Sequence, residues 1–214
     1  MLFVTMLAWG QDSNESIDND FPEKEVKAIE RQWAGKSLQV NITGQKAGIH
    51  DFASAFCLQY PKYRPNACLT DYLKRPGDYS WEEKHYFVED APRNGFIKCD
   101  MGWQCDYTTE MCYWRRTNGH SLVGVLLQVG HEGEGSETDY ALLFYDYDPS
   151  SRIMKPDMTI YRAVKELIRR HSGNLSFRLP NEEKDIRVVS VKWNAEDDFD
   201  FEEFFLKWTG NSFR

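Results

Sequence analysis

Hydrophobic residues recur every three or four positions in the first third of the chain, the spacing of a helix packed against a core. The clearest stripe predicts a helix over residues 49–60 and consists of Ile49, Phe52, Ala53, Phe56, Cys57 and Tyr60. Pro61 follows the stripe and cannot continue a helix. A second stripe predicts a helix over residues 66–74, and the short connection makes the two helices antiparallel neighbours. Weaker patterns predict a helix over residues 26–33 and a strand over residues 38–43.

The middle of the chain, residues 79–148, changes to an alternation of apolar and polar positions, which is the period of a β-strand. Its segments are rich in aromatic and β-branched residues, namely HYFVE, GFIKC, EMCYWRR, SLVGVLLQVG and TDYALLFYDYD. The pair Asn118-Gly119 favours a tight type I′ turn, so residues 111–116 and 121–129 are expected to pair. These features predict an antiparallel meander.

The hydrophobic periods of a helix and of a strand both recur after the meander. Residues 158–171 predict a helix that is capped by Asp157 or Thr159 and stops at Gly173. Strands are expected near residues 175–179 and 186–193, and a last helix over residues 200–208, with Phe201, Phe204, Phe205 and Trp208 on one side. The predicted fold class is therefore α+β, with an antiparallel meander sheet and helices packed mainly on one face.

The first ten residues, MLFVTMLAWG, are uncharged and almost wholly apolar. They are too short to cross a bilayer, which takes roughly 20 residues, but they match the apolar core of a secretory signal peptide. The usual positive leader is missing, so a start codon placed too late or a short hydrophobic strand are the alternatives. We interpret residues 1–10 as a possible signal peptide remnant, residues 11–25 as a flexible acidic lead-in, and residues 26–214 as a single α+β domain. This interpretation predicts a periplasmic or extracellular protein with no membrane insertion after processing.

The overall composition restricts the partners of the chain. Of its 214 residues 41% are hydrophobic, which suffices for a substantial core. The formal net charge is -8, and no long run of lysine and arginine offsets it. A nucleic acid or an anionic membrane surface is therefore an unfavourable partner on electrostatic grounds.

Five cysteines, Cys57, Cys68, Cys99, Cys105 and Cys112, raise the question of metal binding or disulfides. Their spacing lacks the close pairs of a structural zinc site, so no metal site is predicted. In an exported protein disulfides are the default comparison. Cys57 and Cys68 lie on the facing stripes of two helices, where they could form a bridge or remain buried thiols.

The pairing of Cys99 and Cys112 depends on where the intervening hairpin turns. A turn centred on residues 105–106 places the two cysteines opposite one another, which makes them disulfide candidates. A turn centred on residues 107–108 instead places Trp103 opposite Cys112.

The chain carries no recognisable catalytic motif. A G-x-S-x-G elbow, a phosphate loop, a G-x-G-x-x-G turn and an H-E-x-x-H helix are all missing from the sequence. His50 and Cys57 share a predicted helix but lie about 10 Å apart along it, too far for a Cys–His pair. Asp146, Asp148 and the acidic residues 196–203 lack the spacing of a calcium loop. We therefore assign no catalytic residues, no metal and no cofactor, and interpret the protein as a non-enzyme.

Aromatic residues on adjacent strands are the remaining signal for function. Tyr113 and Trp114 must point to opposite faces of the sheet, as must Phe144 and Tyr145. The aromatic face away from the helices is either covered by other segments or exposed as a contact surface. In the exposed case the candidate ligand-binding residues are Trp103, Trp114, Tyr145 and Tyr147.

One part of the sequence resembles small exported proteins of Bacteroidota. The resemblance covers residues 111–157 and consists of a C-Y-W strand, a polar turn with glycine and a Y-D-Y-D-P…R-x-x-x-P segment. The matching residues are Cys112, Tyr113, Trp114, Gly119, Tyr145, Asp146, Tyr147, Asp148, Pro149, Arg152 and Pro156. The resemblance implies export and implies no catalytic residues.

These observations together predict a non-enzymatic binding or interaction module for a protein or a glycan. The alternative is a hydrolase whose composite active site is not visible as a motif. A pocket of convergent polar side chains that includes a titratable group with a shifted pKa would favour the hydrolase, and a flat aromatic patch without such groups would favour binding.

Overall fold

Four helices are formed by the described part of the chain, which in the computed structural model comprises residues 22–77, 85–102, 105–131, 138–193 and 199–214. They are α1 (Pro22–Trp33), α2 (Ile49–Gln59), α3 (Arg64–Lys74) and α4 (Met158–Ile168). All six members of the strongest predicted stripe are buried, as expected for the core-facing side of α2. Asp157 caps α4, since its carboxylate accepts hydrogen bonds from the backbone amides of Thr159 and Ile160.

Seven antiparallel strands form the main sheet, in the spatial order β1-β7-β6-β5-β4-β3-β2. Their bounds are Leu38–Gln39 (β1), Tyr86–Ala91 (β2), Phe96–Met101 (β3), Cys105–Arg115 (β4), Ser121–His131 (β5), Asp139–Asp148 (β6) and Ile153–Pro156 (β7). Strands β2 to β7 follow one another in space as they do along the chain, so the predicted antiparallel meander is confirmed.

A second sheet contains three antiparallel strands in the order β10-β9-β8. These strands are Asn174–Arg178 (β8), Ile186–Trp193 (β9) and Phe199–Leu206 (β10). The predicted helix over residues 200–208 is wrong, because residues 199–206 form β10 and pair with β9.

The two faces of the main sheet support two hydrophobic cores. The first core contains Phe52, Phe56 and Tyr145 and lies beneath α1, α2 and α3. The second core contains Trp114 and Phe144 and is covered by α4 and the second sheet. The aromatic far face of the main sheet is therefore covered. Three of the four helices lie together on the other face, as predicted for most of the helices, whereas α4 covers the far face.

Close packing in the second core depends on one glycine. Gly124 of β5 lies under the indole of Trp114, and a Cβ atom at this position would be 2.8 Å from Trp114 Cζ3. The indole in turn donates a hydrogen bond of 2.7 Å from its Nε1 to the carbonyl of Lys184. Trp114 is thus fixed between the two sheets.

The hairpin between β4 and β5 exists as predicted, but its turn type differs. The amide of Gly119 donates to the carbonyl of Arg116, and the amide of Arg116 donates to the carbonyl of His120. Gly119 has a φ of +85°, whereas Asn118 does not have positive φ. A type I turn followed by a glycine bulge therefore replaces the expected type I′ turn.

The amino-terminal boundary of the helical region lies earlier than the sequence pattern indicates. Helix α1 begins at Pro22, a residue type that is favoured in the first turn, so residues 22–25 of the expected lead-in are helical. The predicted signal peptide remnant, residues 1–10, lies outside the described residues. Within the described ranges, no helix is long and apolar enough to span a membrane.

Candidate functional site

The aromatic residues proposed from the sequence do not form an exposed surface. Trp114, Tyr145 and Tyr147 are each less than 5% exposed and belong to the two hydrophobic cores. Their burial leaves them unavailable for contact with a large ligand, because helices cover one face and the second sheet covers the other. Trp103 lies outside the described residues.

The cysteines do not form the disulfides that the sequence analysis considered. Cys57, Cys68, Cys99 and Cys112 are free thiols. Strand β3 pairs with β4 so that Cys99 lies opposite Thr109 and Phe96 lies opposite Cys112. Cys99 therefore faces the helices while Cys112 faces the second sheet, because both predicted turn positions were too late in the chain.

A pocket of about 400 Å³ opens where the main sheet meets the edge of β8. We call it the Glu110 pocket. It is lined mainly by polar side chains, and its lining residues are Lys98, Asp100, Met101, Gly102, Thr108, Glu110, Gln128, Gly130, Thr138, Ser176 and Arg178. The pairing register explains this clustering, since Lys98 lies directly opposite Glu110 and Asp100 lies directly opposite Thr108. Directly paired residues point to the same face of a sheet.

Glu110 is the most unusual residue of this pocket, because its carboxylate is buried and only one of its two oxygens accepts a hydrogen bond from the described residues. The residue is 1% exposed. Its Oε2 accepts a hydrogen bond of 2.8 Å from the amide of Leu179. No donor among the described residues forms a hydrogen bond to its Oε1. A buried carboxylate oxygen without a donor is costly, and it marks a position where a ligand hydroxyl could bind.

Two cations lie just beyond hydrogen-bonding distance of this oxygen. Lys98 Nζ is 3.8 Å and Arg178 Nη1 is 3.6 Å from Glu110 Oε1. Burial raises the pKa of Glu110 from 4.5 to about 7, although the Leu179 amide and the two cations act in the opposite direction. The carboxyl group therefore changes its charge near neutral pH.

Asp100 supplies a second carboxylate, which is held in a defined orientation. Its Oδ2 is 2.6 Å from Lys98 Nζ, and its Oδ1 accepts a hydrogen bond of 2.8 Å from the Thr108 hydroxyl. The buried ammonium of Lys98 thus contacts Asp100 directly and lies near Glu110. When both acids are ionised, Asp100 and Glu110 balance the charges of Lys98 and Arg178.

Part of this polar cluster has a structural role at the edge of the second sheet. The Gln128 amide donates a hydrogen bond of 3.1 Å to the Phe177 carbonyl and accepts one of 2.9 Å from the Phe177 amide. Glu110 likewise accepts from the Leu179 amide through Oε2. These two side chains bind backbone groups at the edge of β8 that no neighbouring strand, within the residues described, pairs with. Glu110 Oε1, by contrast, accepts no hydrogen bond from the described residues and so does not support this sheet edge.

Exposed phenylalanines lie in two places relative to the Glu110 pocket. Phe87 of β2 is 53% exposed and lies opposite Asp100 in the β2–β3 pairing, so it shares a sheet face with this pocket residue. Phe201 and Phe205 are also exposed, and they lie on the outer face of β10. The protein therefore has a polar pocket and, elsewhere, exposed aromatic side chains, which correspond to the two alternatives of the sequence analysis.

The acidic residues of the Y-D-Y-D-P segment are occupied by interactions within the protein. Asp146 is bound by Arg116 and by His120, whose Nδ1 is 2.7 Å from Asp146 Oδ2. Asp148 accepts hydrogen bonds from Ser150 and Ser151, which lower its pKa to about 2. In the described part of the chain, no group of three or more histidine, cysteine or acidic side chains is placed to hold a metal ion.

Comparison of the chain with protein-family models, with curated proteins and with solved structures finds no match.

The pocket residues were missed by the sequence analysis because charges at alternate strand positions normally indicate a solvent-facing side. A signal was present all the same. Glu110 has the same parity as Cys112 and Trp114, and Lys98 has the same parity as Phe96. Charges that share a strand face with core residues indicate a polar site at the border of that core.

Proposed function

We propose that this protein is a non-enzymatic binding module that holds a neutral glycan in the Glu110 pocket. The observation that carries the proposal is the buried Oε1 of Glu110, which has no hydrogen-bond donor among the described residues and lies near two cations. A sugar hydroxyl both donates and accepts, so it can donate to this oxygen and accept from Lys98 or Arg178.

Above pH 7, where Glu110 is ionised, the charge balance of the pocket favours a neutral ligand over an anionic one. Lys98 and Arg178 are offset by Asp100 and Glu110, so the ionised pocket has no excess positive charge for a phosphate or a carboxylate. The exposed Phe87, paired with the pocket residue Asp100, supplies an apolar surface on which the C–H face of a sugar ring can pack.

A glycan array tests this proposal. The wild-type protein, Glu110→Gln, Phe87→Ser and Phe201→Ser are applied to neutral and acidic oligosaccharides, and each hit is titrated by calorimetry. Glu110→Gln should weaken binding of a neutral hit by about 10- to 100-fold, because a hydrogen bond to a charged group is lost. Phe87→Ser should also weaken it.

Phe201→Ser is the matched control, since it removes an exposed phenylalanine on the other sheet. It should leave the affinity unchanged. Binding that is lost in Phe201→Ser but retained in Glu110→Gln would place the ligand on the outer face of β10 and overturn the proposal. Wild-type protein that binds no neutral oligosaccharide would overturn it as well.

A hydrolase is the second candidate function, favoured by the pKa of Glu110 near 7. Such a carboxyl group can act as a general acid at neutral pH, and Asp100 lies on the other side of the Lys98 ammonium. The two functions differ in their pH dependence. Affinity for a hydroxyl should rise above pH 7, because an ionised carboxylate is the stronger acceptor, whereas catalysis by a protonated Glu110 should fall. Release of reducing ends from an array hit, lost in Glu110→Gln, would favour the hydrolase.

Export to the periplasm or the extracellular space is part of the proposal. It is supported by the apolar first ten residues and by the resemblance of residues 111–157 to exported Bacteroidota proteins. Cell fractionation of the native host with an antibody to this protein tests the location, and a purely cytoplasmic signal would contradict it.

A further inference from the structure

Two cysteines from different elements meet between α3 and β3. Cys68 of α3 is half-buried, and Cys99 of β3 is buried under the helix. Cys68 lies close enough to Cys99 to raise the pKa of the Cys99 thiol. Cys68 Sγ also lies 3.6 Å from the sulfur of Met101, which follows Cys99 by two residues on the same face of β3. The contact thus joins residues that are remote along the chain.

Of the cysteines whose side chains the structure describes, Cys112 and Cys57 are less suited to react with this pair. Cys112 lies on the opposite face of the main sheet, so the sheet itself separates it from Cys99. Cys57 on α2 is fully buried and is close enough to influence Cys99 electrostatically. Cys57 is therefore the competitor that an experiment must distinguish.

We propose that Cys68 and Cys99 are a covalent modification site, at which a peroxide converts the two thiols into a disulfide. Cys68 is the residue of the pair that solvent reaches, so it reacts first. Its sulfur attacks the peroxide, the O–O bond breaks, and Cys68 sulfenic acid and one molecule of alcohol or water are formed. The Cys99 sulfur then attacks the Cys68 sulfur, and the sulfenic oxygen leaves as water with the Cys99 proton.

These two reaction steps need no oxidant other than the peroxide. Each thiol loses one proton and one electron to form the S–S bond, and the two electrons reduce the peroxide O–O bond. The contact with Cys68 and burial raise the pKa of the Cys99 thiol, so Cys99 stays protonated while the more exposed Cys68 meets the peroxide. The order of the two steps follows from the greater exposure of Cys68.

Peptide mapping of the full-length protein tests the proposal. The reduced protein is treated with hydrogen peroxide, free thiols are alkylated, and the digest is analysed without reduction. The expected result is a linked peptide pair that contains Cys68 and Cys99, reversed by dithiothreitol. A Cys57–Cys68 link, or Cys68 and Cys99 that both remain free or proceed to sulfinic acid, would overturn the proposal.

Single substitutions provide the controls. Cys68→Ser and Cys99→Ser should abolish the linked pair, while Cys112→Ser should retain it, because Cys112 lies across the sheet. The wild-type map decides the question even if a buried variant fails to fold. A linked peptide of Cys68 that persists in Cys99→Ser would show that Cys68 has another partner.

Discussion

Replacement of Glu110 by glutamine tests the electrostatics of the pocket without a large change of shape. The amide side chain of the Glu110→Gln variant is neutral at every pH, and its carbonyl oxygen can still accept the hydrogen bond from the Leu179 amide. In the wild-type protein, burial raises the pKa of Glu110 from 4.5 to about 7. The substitution therefore removes one titrating group from the fold and leaves its structural contact in place.

The sign of the effect follows from proton linkage. Between pH 4.5 and about 7 the folded protein keeps the Glu110 proton that the unfolded chain has released. The free energy of unfolding of the wild type therefore falls as the pH rises through this window and levels off above it. At about 1.4 kcal/mol per pKa unit, the loss is about 3 kcal/mol. Glu110→Gln should lack this loss.

Urea denaturation followed by tryptophan fluorescence measures the difference. The unfolding free energy of the wild type minus that of Glu110→Gln should decrease by about 3 kcal/mol from pH 4.5 to above pH 7. Glu182→Gln, in an exposed loop, is the matched control, and its unfolding free energy should have the same pH dependence as that of the wild type. A difference that is constant with pH, or that grows in favour of the wild type, would refute the reasoning, because Lys98 and Arg178 would then outweigh burial.

Three further predictions concern stability. A Cys68–Cys99 disulfide should raise the unfolding free energy by about 4 kcal/mol through loop closure, measured by denaturation with and without reductant; no gain would mean that the bond strains the fold. Gly124→Ala should cost about 1–3 kcal/mol, because its Cβ would overlap the Trp114 indole, and should change the near-ultraviolet circular dichroism; an unchanged melting temperature would contradict this close packing. Asp157→Ala should cost about 2 kcal/mol in thermal melts, because it removes both the α4 cap and the ion pair with Arg116, whereas Asp157→Asn retains a capping oxygen and should cost less; equal losses would argue against the cap.

Helices and strands could be predicted from the sequence where a long run of residues has one consistent hydrophobic pattern. The α2 stripe is apolar at every core position, so helix is the only regular structure that buries it. The middle strands are rich in β-branched and aromatic residues and are joined by turns and short loops, which leaves an antiparallel meander as the simplest arrangement. Local pattern and tertiary environment agree in both regions.

The carboxy-terminal segment was misassigned because it contains two periods at once. Phe201, Phe204 and Phe205 match a helical face, but the alternation in DFDF matches a strand. Pairing with β9 decides in favour of the strand and leaves Phe201 71% exposed. Exposure of such a residue results from tertiary pairing, which a local pattern does not contain.

The Glu110 pocket could not be predicted because it results from the meeting of two sheets. The position of Glu110 on β4 shows which face it shares, but its burial requires that Leu179, 69 residues later, lies against it. The cysteine pairing failed for a related reason. An error of a few residues in the turn moved Cys99 to the wrong face of the sheet, since the side-chain period of a strand is two.

Nuclear magnetic resonance of the full-length protein tests the central claim most directly. A neutral oligosaccharide identified on the array is titrated into labelled protein, and the backbone amide shifts are mapped. We expect the largest changes around Lys98, Glu110 and Arg178, and none around Phe201. Shifts confined to the outer face of β10, with the Glu110 region unchanged, would contradict the account.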